Sequence, residues 1–138
     1  MGEIHAELEL INVDDVNRAR RAEIDMDEIK KIRITALVDT GATLMVINEN
    51  IQEYLQLPIL SQKPFEMANG EIIRCDVVGS LEIRFANRRV AATAVVMPDN
   101  SEPLLGVIPM EEMDVIIDPL WQEMVVNPKH PDYAVHRL

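Results

Sequence analysis

The chain has a single cysteine, Cys75, among its 138 residues. No intrachain disulfide can form, which fits a reducing compartment. Long apolar runs are also missing. None approaches the roughly 18 residues that span a bilayer, so no membrane partner is expected. The start, Met1-Gly2-Glu3-Ile4-His5, has no basic region followed by an apolar stretch and does not read as a secretory signal. The expected location is the cytoplasm. Basic residues are few, 13 Lys and Arg against 24 Asp and Glu, for a net charge of −11. Phosphate binding rests on clustered Lys and Arg, so a nucleic-acid partner is not expected. The one basic patch, Arg18, Arg20 and Arg21, lies among acids without interleaved aromatics and reads as a solvated face. His5, His130 and His136 show no metal-ligand spacing with Cys75 or with each other, so neither a metal nor a cofactor is expected. Gly-x-Ser-x-Gly and phosphate-loop motifs are absent.

What is present fits one globular domain over residues 1–138, large enough to bury a core without disulfides. Apolar residues make up 48% and charged residues 27%. The pattern is mostly that of strands. Ile4, Ala6, Leu8 and Leu10 alternate with His5, Glu7 and Glu9. Asp14 to Glu28 reads as a polar connection with a short strand or helical turn near Ala22-Glu23-Ile24. Ile32, Ile34, Ala36 and Val38 alternate again, and Leu44 to Ile47 is a short apolar strand. Asn48 is placed to cap a helix running to about Gln56, with Glu49 in its first turn and Pro58 beyond its end. Phe65 to Ile73 reads as a hairpin around Asn69-Gly70. Leu81, Ile83 and Phe85 alternate, a turn follows at Asn87-Arg88-Arg89, and Val90 to Met97 is apolar on both faces, as in a central strand. Pro109 to Met113 suggests a helical turn with Pro109 first. Val115 to Ile117 and Met124 to Val126 suggest two last strands joined near Asp118-Pro119, and the tail from Asn127 is expected to lie over the surface. Many short strands and one or two short helices predict an all-β fold, a closed barrel. Cys75 reads as a small core residue, and the acids Asp99, Glu102, Glu111, Glu112 and Asp114 as solvated surface.

The chemistry concentrates at Leu37-Val38-Asp39-Thr40-Gly41-Ala42-Thr43. An apolar strand runs into one carboxylate, one hydroxyl and a glycine. Such a strand end can hold a carboxylate at the core boundary, or the aspartate can simply cap its own turn. The segment occurs once.

Leu37 to Ala42 resembles the active-site motif of the retropepsin-like aspartic proteases, single-domain all-β enzymes in which each of two identical chains supplies one catalytic aspartate. Ala68-Asn69-Gly70 lies where that family places its flap hairpin. Leu104-Leu105-Gly106 resembles the motif that packs beneath the catalytic loop, and a short helix and closing strand follow. The resemblance covers roughly residues 32–126. More narrowly, the chain resembles prokaryotic retropepsin-like proteins, through Met113 to Pro119 and Asn127-Pro128. It implies an acid-protease barrel and a homodimer that cuts polypeptides, with Asp39 catalytic. Thr40, Gly41 and Ala42 would support the active-site loop, and Ala68, Asn69 and Gly70 would form the flap over substrate. Viral members dimerise through intertwined terminal strands. Here the stretch Asp14 to Lys31 is longer than their N-terminal hairpin, and the tail beyond Asn127 has no counterpart in their core. Two other readings stay open. The barrel could dimerise or grip extended peptide without cutting it, or it could be an unrelated barrel in which Asp39 only caps a turn.

Overall fold

The structure is a computed structural model and describes residues 2–138. Nine strands and three short helices follow in the order β1 (His5–Asn12), α1 (Val13–Arg20), β2 (Lys31–Val38), β3 (Met45–Asn48), α2 (Glu49–Leu55), β4 (Ile59–Glu66), β5 (Ile72–Phe85), β6 (Arg88–Met97), β7 (Leu104–Leu105), α3 (Val107–Met113), β8 (Val115–Asp118) and β9 (Glu123–Val126). A 3-10 turn at Met26–Glu28 precedes β2.

Seven strands form one sheet in the order β1-β2-β7-β3-β6-β5-β4, and β1 also pairs with β5. That second pairing closes the sheet into a barrel and leaves β4 as an edge. It is possible because β5 is long and shifts register between Val78 and Leu81. Its first half pairs with β4 and its second half, Leu81 to Arg84, with β1. The expected all-β barrel is therefore what the chain adopts. Leu8 and Leu10 of β1, Met45 and Ile47 of β3, Leu81 and Ile83 of β5, and Leu105 of β7 fill its interior.

Three expectations need correction. Residues 14–28 are not a bare connection, since α1 occupies their first part and brings the helix number to three. No apolar stripe marks it, and its one buried residue is Asp15. Its signals are polar: Asn12 caps it, Asp14 and Asp15 lie in the first turn, and Arg18 and Arg20 in the last. Asp15 is held by the Lys30 N–H at 3.0 Å and the Lys30 ammonium at 3.1 Å, which ties α1 back to the start of β2. Strand β6 does lie between β5 and β3, yet Ala91 and Thr93 are exposed. Helix α3 begins at Val107, so Pro109 occupies its third position.

Helix α2 forms where its cap predicts. The Asn48 side-chain Oδ1 accepts from the Ile51 N–H at 2.8 Å, while its Nδ2 donates to the Ser101 carbonyl at 2.9 Å. Ile51 and Leu55 turn into the core. The helix stops at Gln56, which takes a left-handed conformation (φ 54°) two residues before Pro58. Because Asn48 is buried and serves two partners, Asn48→Ala is expected to lower the unfolding free energy by about 1–2 kcal/mol. Urea unfolding checks this; an unchanged midpoint would contradict it.

Candidate active site

Strand β2 delivers Asp39 to the mouth of the barrel, and the neighbouring chain segments hold it there. Leu37 and Val38 pair in parallel with Leu104 and Leu105 of β7. The Asp39 N–H donates to the Leu105 carbonyl at 3.0 Å, and the Val38 N–H donates to the Ile4 carbonyl at 2.8 Å. After Asp39 the chain reverses at once. The Ala42 N–H donates to the Asp39 carbonyl at 3.1 Å, and the Gly41 N–H donates to Asp39 Oδ1 at 2.9 Å. The carboxylate is thus oriented by its own turn and its strand-end backbone by β7. Asp39 is half-buried, whereas Thr40 and Gly41 are exposed.

Helix α3 is anchored from below by the same loop. Its first backbone N–H groups have no partners within the helix. Val107 N–H donates to the Ala42 carbonyl at 2.9 Å and Ile108 N–H to the Thr43 carbonyl at 3.1 Å. Pro109, with no N–H, needs no partner there. The approach is close enough to demand glycine at the helix cap. A Cβ on Gly106 would lie 2.4 Å from the Leu44 carbonyl oxygen and 2.6 Å from the Thr43 carbonyl carbon. Leu104-Leu105-Gly106 and the Asp39 loop are therefore one packed unit.

Asp39 and Thr40 line a depression of about 440 Å³ with Gly2, Glu3, Ile4, Leu37, Val38, Ile117, Pro119 and Gln122. The wall is largely apolar. Glu3, Ile4 and the β8–β9 residues carry no local signal that would place them here, because long-range packing brings them.

Ala68, Asn69 and Gly70 lie elsewhere, at the tip between β4 and β5, and all three are exposed. The tip is a turn from Met67 to Gly70, closed by the Gly70 N–H to the Met67 carbonyl at 2.9 Å. The Asn69 side chain accepts from the Glu71 N–H at 2.9 Å. Gly70 has φ 87°, and Asn69 has no positive φ. The loop is therefore longer than a two-residue Asn-Gly turn, with glycine at the left-handed position that completes it. Among the described residues the tip makes no hydrogen bond to the Asp39 loop.

The histidines are engaged singly. His5 Nε2 lies 3.1 Å from Glu102, His130 Nδ1 lies 2.6 Å from Asp114, and His136 Nε2 lies 2.6 Å from the Glu112 carbonyl. Cys75 is buried; burial first and Asp76 second push its thiol pKa up, away from a reactive thiolate.

A second polar centre was not evident from spacing. Asp114 accepts from Asn127 Nδ2 at 3.0 Å and from the Val135 N–H at 3.1 Å, with His130 beside it. Arg88, fully buried at the β5–β6 turn, donates to the Asp114 and His130 carbonyls. The tail from Asn127 is thereby fastened to the end of α3. These bonds, Asn127 first, hold the Asp114 carboxyl at about 2, below its ordinary 3.8. A depressed folded-state value stabilises the fold above about pH 4, and that contribution is lost as pH falls from about 4 to 2. Asp114→Asn is expected to flatten stability over that window, read from thermal melts at stepped pH. A variant that keeps the wild-type acid slope would refute the assignment.

Among the described residues no helix is long and apolar enough to cross a membrane. No curated protein matches the chain. The family model described as aspartyl protease matches residues 22–108, well over half of the sequence and including the Asp39 loop, the β4–β5 tip and the Leu104-Leu105-Gly106 segment. With the closed barrel, this match establishes that the chain belongs to the aspartyl protease family, within the retropepsin-like clan.

Proposed function

We propose that the protein is an aspartic endopeptidase whose catalytic dyad pairs Asp39 from two copies of the chain. The observation that carries this reading is the Asp39 carboxylate, held on a turn braced by Leu105 and α3, in a chain with a single such segment.

Two carboxylates about 3 Å apart cannot both ionise cheaply, so the pair retains one proton across a wide pH range. The ionised member takes a proton from a water held between them. The protonated member donates to the scissile carbonyl as the water attacks. The pair titrates as a unit, and its apparent pKa values belong to neither residue alone. Asp39 Oδ1 is already engaged by the Gly41 N–H, which limits rotation of the carboxylate before a partner arrives. The Thr40 hydroxyl makes no hydrogen bond among the described residues, and its role is to bond across the dimer and lock the two loops. Gly41 and Ala42 give backbone support, with Gly41 contacting the extended substrate. The tip at Ala68, Asn69 and Gly70 closes over the peptide and excludes water. Peptide cleavage by the wild-type protein and by Asp39→Asn is the test, and loss of cleavage in the variant is the expected result.

A further inference from the structure

Helix α3 is gripped at both ends. At its start, the Val107 and Ile108 N–H groups bond the Ala42 and Thr43 carbonyls of the Asp39 loop. At its end lies the C-terminal tail, residues 127–138. The helix has seven residues, so about 10 Å separates the two grips. A short rigid element of this kind carries a change at one end to the other.

The tail is attached without a core of its own. None of its residues is buried, and Tyr133 is 70% exposed. What holds it is polar. Asp114 Oδ1 accepts from Asn127 Nδ2 at 3.0 Å, and Asp114 Oδ2 accepts from the Val135 N–H at 3.1 Å. Asn87 donates to the Pro131 and Asp132 carbonyls at 2.8 and 3.2 Å, and Arg88 donates to the His130 carbonyl. A segment held by hydrogen bonds with little apolar burial opens at far less cost than the whole fold.

Two of the fastenings are imidazoles, two of the three histidines in the chain. His130 Nδ1 lies 2.6 Å from Asp114 Oδ2, and His136 Nε2 lies 2.6 Å from the Glu112 carbonyl. Both partners are acceptors, so each ring donates. A second proton on either ring makes it a cation and its contact a charge-assisted bond of about twice the strength. Histidine is the side chain suited to gain or lose that charge between about pH 5 and 8.

The surrounding charges set the sign. His130 meets the Asp114 carboxylate from the end of α3 and the Arg88 guanidinium from the β5–β6 turn, whose Nη2 lies 3.9 Å from Asp114 Oδ2. It shares a small depression with Lys129, Asp132 and Tyr133 of the tail. Arg88 and Lys129 oppose a further positive charge, while Asp114 and Asp132 favour it. Asp114 is the one in direct hydrogen-bond reach of the ring, so attraction prevails. His136 meets the last turn of α3, where Glu111 and Glu112 are exposed, and has Arg137 as its neighbour.

We infer that the C-terminal tail is an acid-fastened strap on α3. Protonation of His130 and His136 tightens it on Asp114 and Glu112 and steadies the helix that carries the Asp39 loop. Loss of those protons loosens it. The link to catalysis rests on the Asp39 dyad reading, whereas the opening of the strap does not.

The opening is read on the full chain as Asp39→Asn, which cannot digest itself. The Val135 amide, bonded to Asp114, reports whether the strap is shut. Its hydrogen-exchange protection factor, corrected for the intrinsic rate, is expected to fall about 10-fold or more from pH 5 to pH 8. Amides of β5 and β6 should keep theirs. His130→Gln with His136→Gln keeps a donor at each position and removes the titration, so its Val135 protection should be low and equal at both pH values. Were that double variant to lose β5 and β6 protection as well, the two single variants decide, each expected to remove part of the step. A Val135 amide equally protected at pH 5 and pH 8, or variants that keep the full step, overturns the strap. In chains that retain Asp39, the double variant is expected to lose about 3-fold or more in kcat at pH 5 with KM held, and to show a flatter fall in kcat towards pH 8. Cleavage by the double variant with the wild-type pH profile overturns the link to the loop. A wild-type chain that cuts no peptide removes the protease reading, and the exchange step still decides the strap.

Discussion

Asp39→Asn is expected to lower peptide cleavage at about pH 4 to 6 by about 1,000-fold or more, while leaving the fold intact. The carboxylate touches only its own turn, through the Gly41 N–H, and an amide oxygen accepts that bond equally well. Nothing in the core depends on its charge. In the variant dimer neither side chain can ionise, so no group takes the proton from water. Mixing adds a sharper reading. If the dyad needs one Asp39 from each copy, an equal mixture of wild-type and variant chains, exchanged to equilibrium, leaves about a quarter of the dimers with two aspartates. Activity of the wild-type chains should then fall to about half. If each chain worked alone, the variant would act as an inert diluent and wild-type activity would not change. Cleavage that survives Asp39→Asn would remove the protease reading altogether.

Gly106→Ala is the second large effect, and it acts through packing. The added methyl would meet the Leu44 carbonyl oxygen at 2.4 Å, the Thr43 carbonyl carbon at 2.6 Å and the Leu44 nitrogen at 2.7 Å. All three are backbone atoms, so no side chain can swing aside. The strand end carrying Asp39 and the start of α3 would have to separate, at the expense of the Val107 to Ala42 and Ile108 to Thr43 hydrogen bonds. A destabilisation of about 3 kcal/mol or more is expected, enough to unfold a marginal domain. Denaturant melts measure it, and whatever folded protein remains should cleave poorly because its aspartate is displaced. A variant that melts like wild type would show that the close approach is not needed.

These two positions also show how unevenly the sequence reveals its structure. Asp39 was legible because its neighbours are local: an apolar strand before it, a glycine two residues after it. The Asn48 cap was legible for the same reason, since cap and helix are contiguous. Helix α1 was not, because hydrophobic periodicity is a signal of core packing and this helix buries only Asp15. Its start was written instead in a cap and in the distribution of charge. The β4–β5 turn was placed correctly but its length was not specified, because Asn-Gly is compatible with more than one loop and the pairing of Met67 with Glu71 chooses between them.

By itself, then, the sequence determined the β-rich barrel class, the strand end that carries Asp39, and the glycine tip between β4 and β5. These follow from patterns of two to ten neighbouring residues, over which strand alternation, capping and turn chemistry act. The tertiary structure alone decided what surrounds the carboxylate. It seated Gly106 against the Leu44 backbone, brought Ile4 and Ile117 to the wall of one depression, and fastened the tail to Asp114. Contacts between segments far apart in the chain depend on how the barrel closes, and no local pattern records that closure.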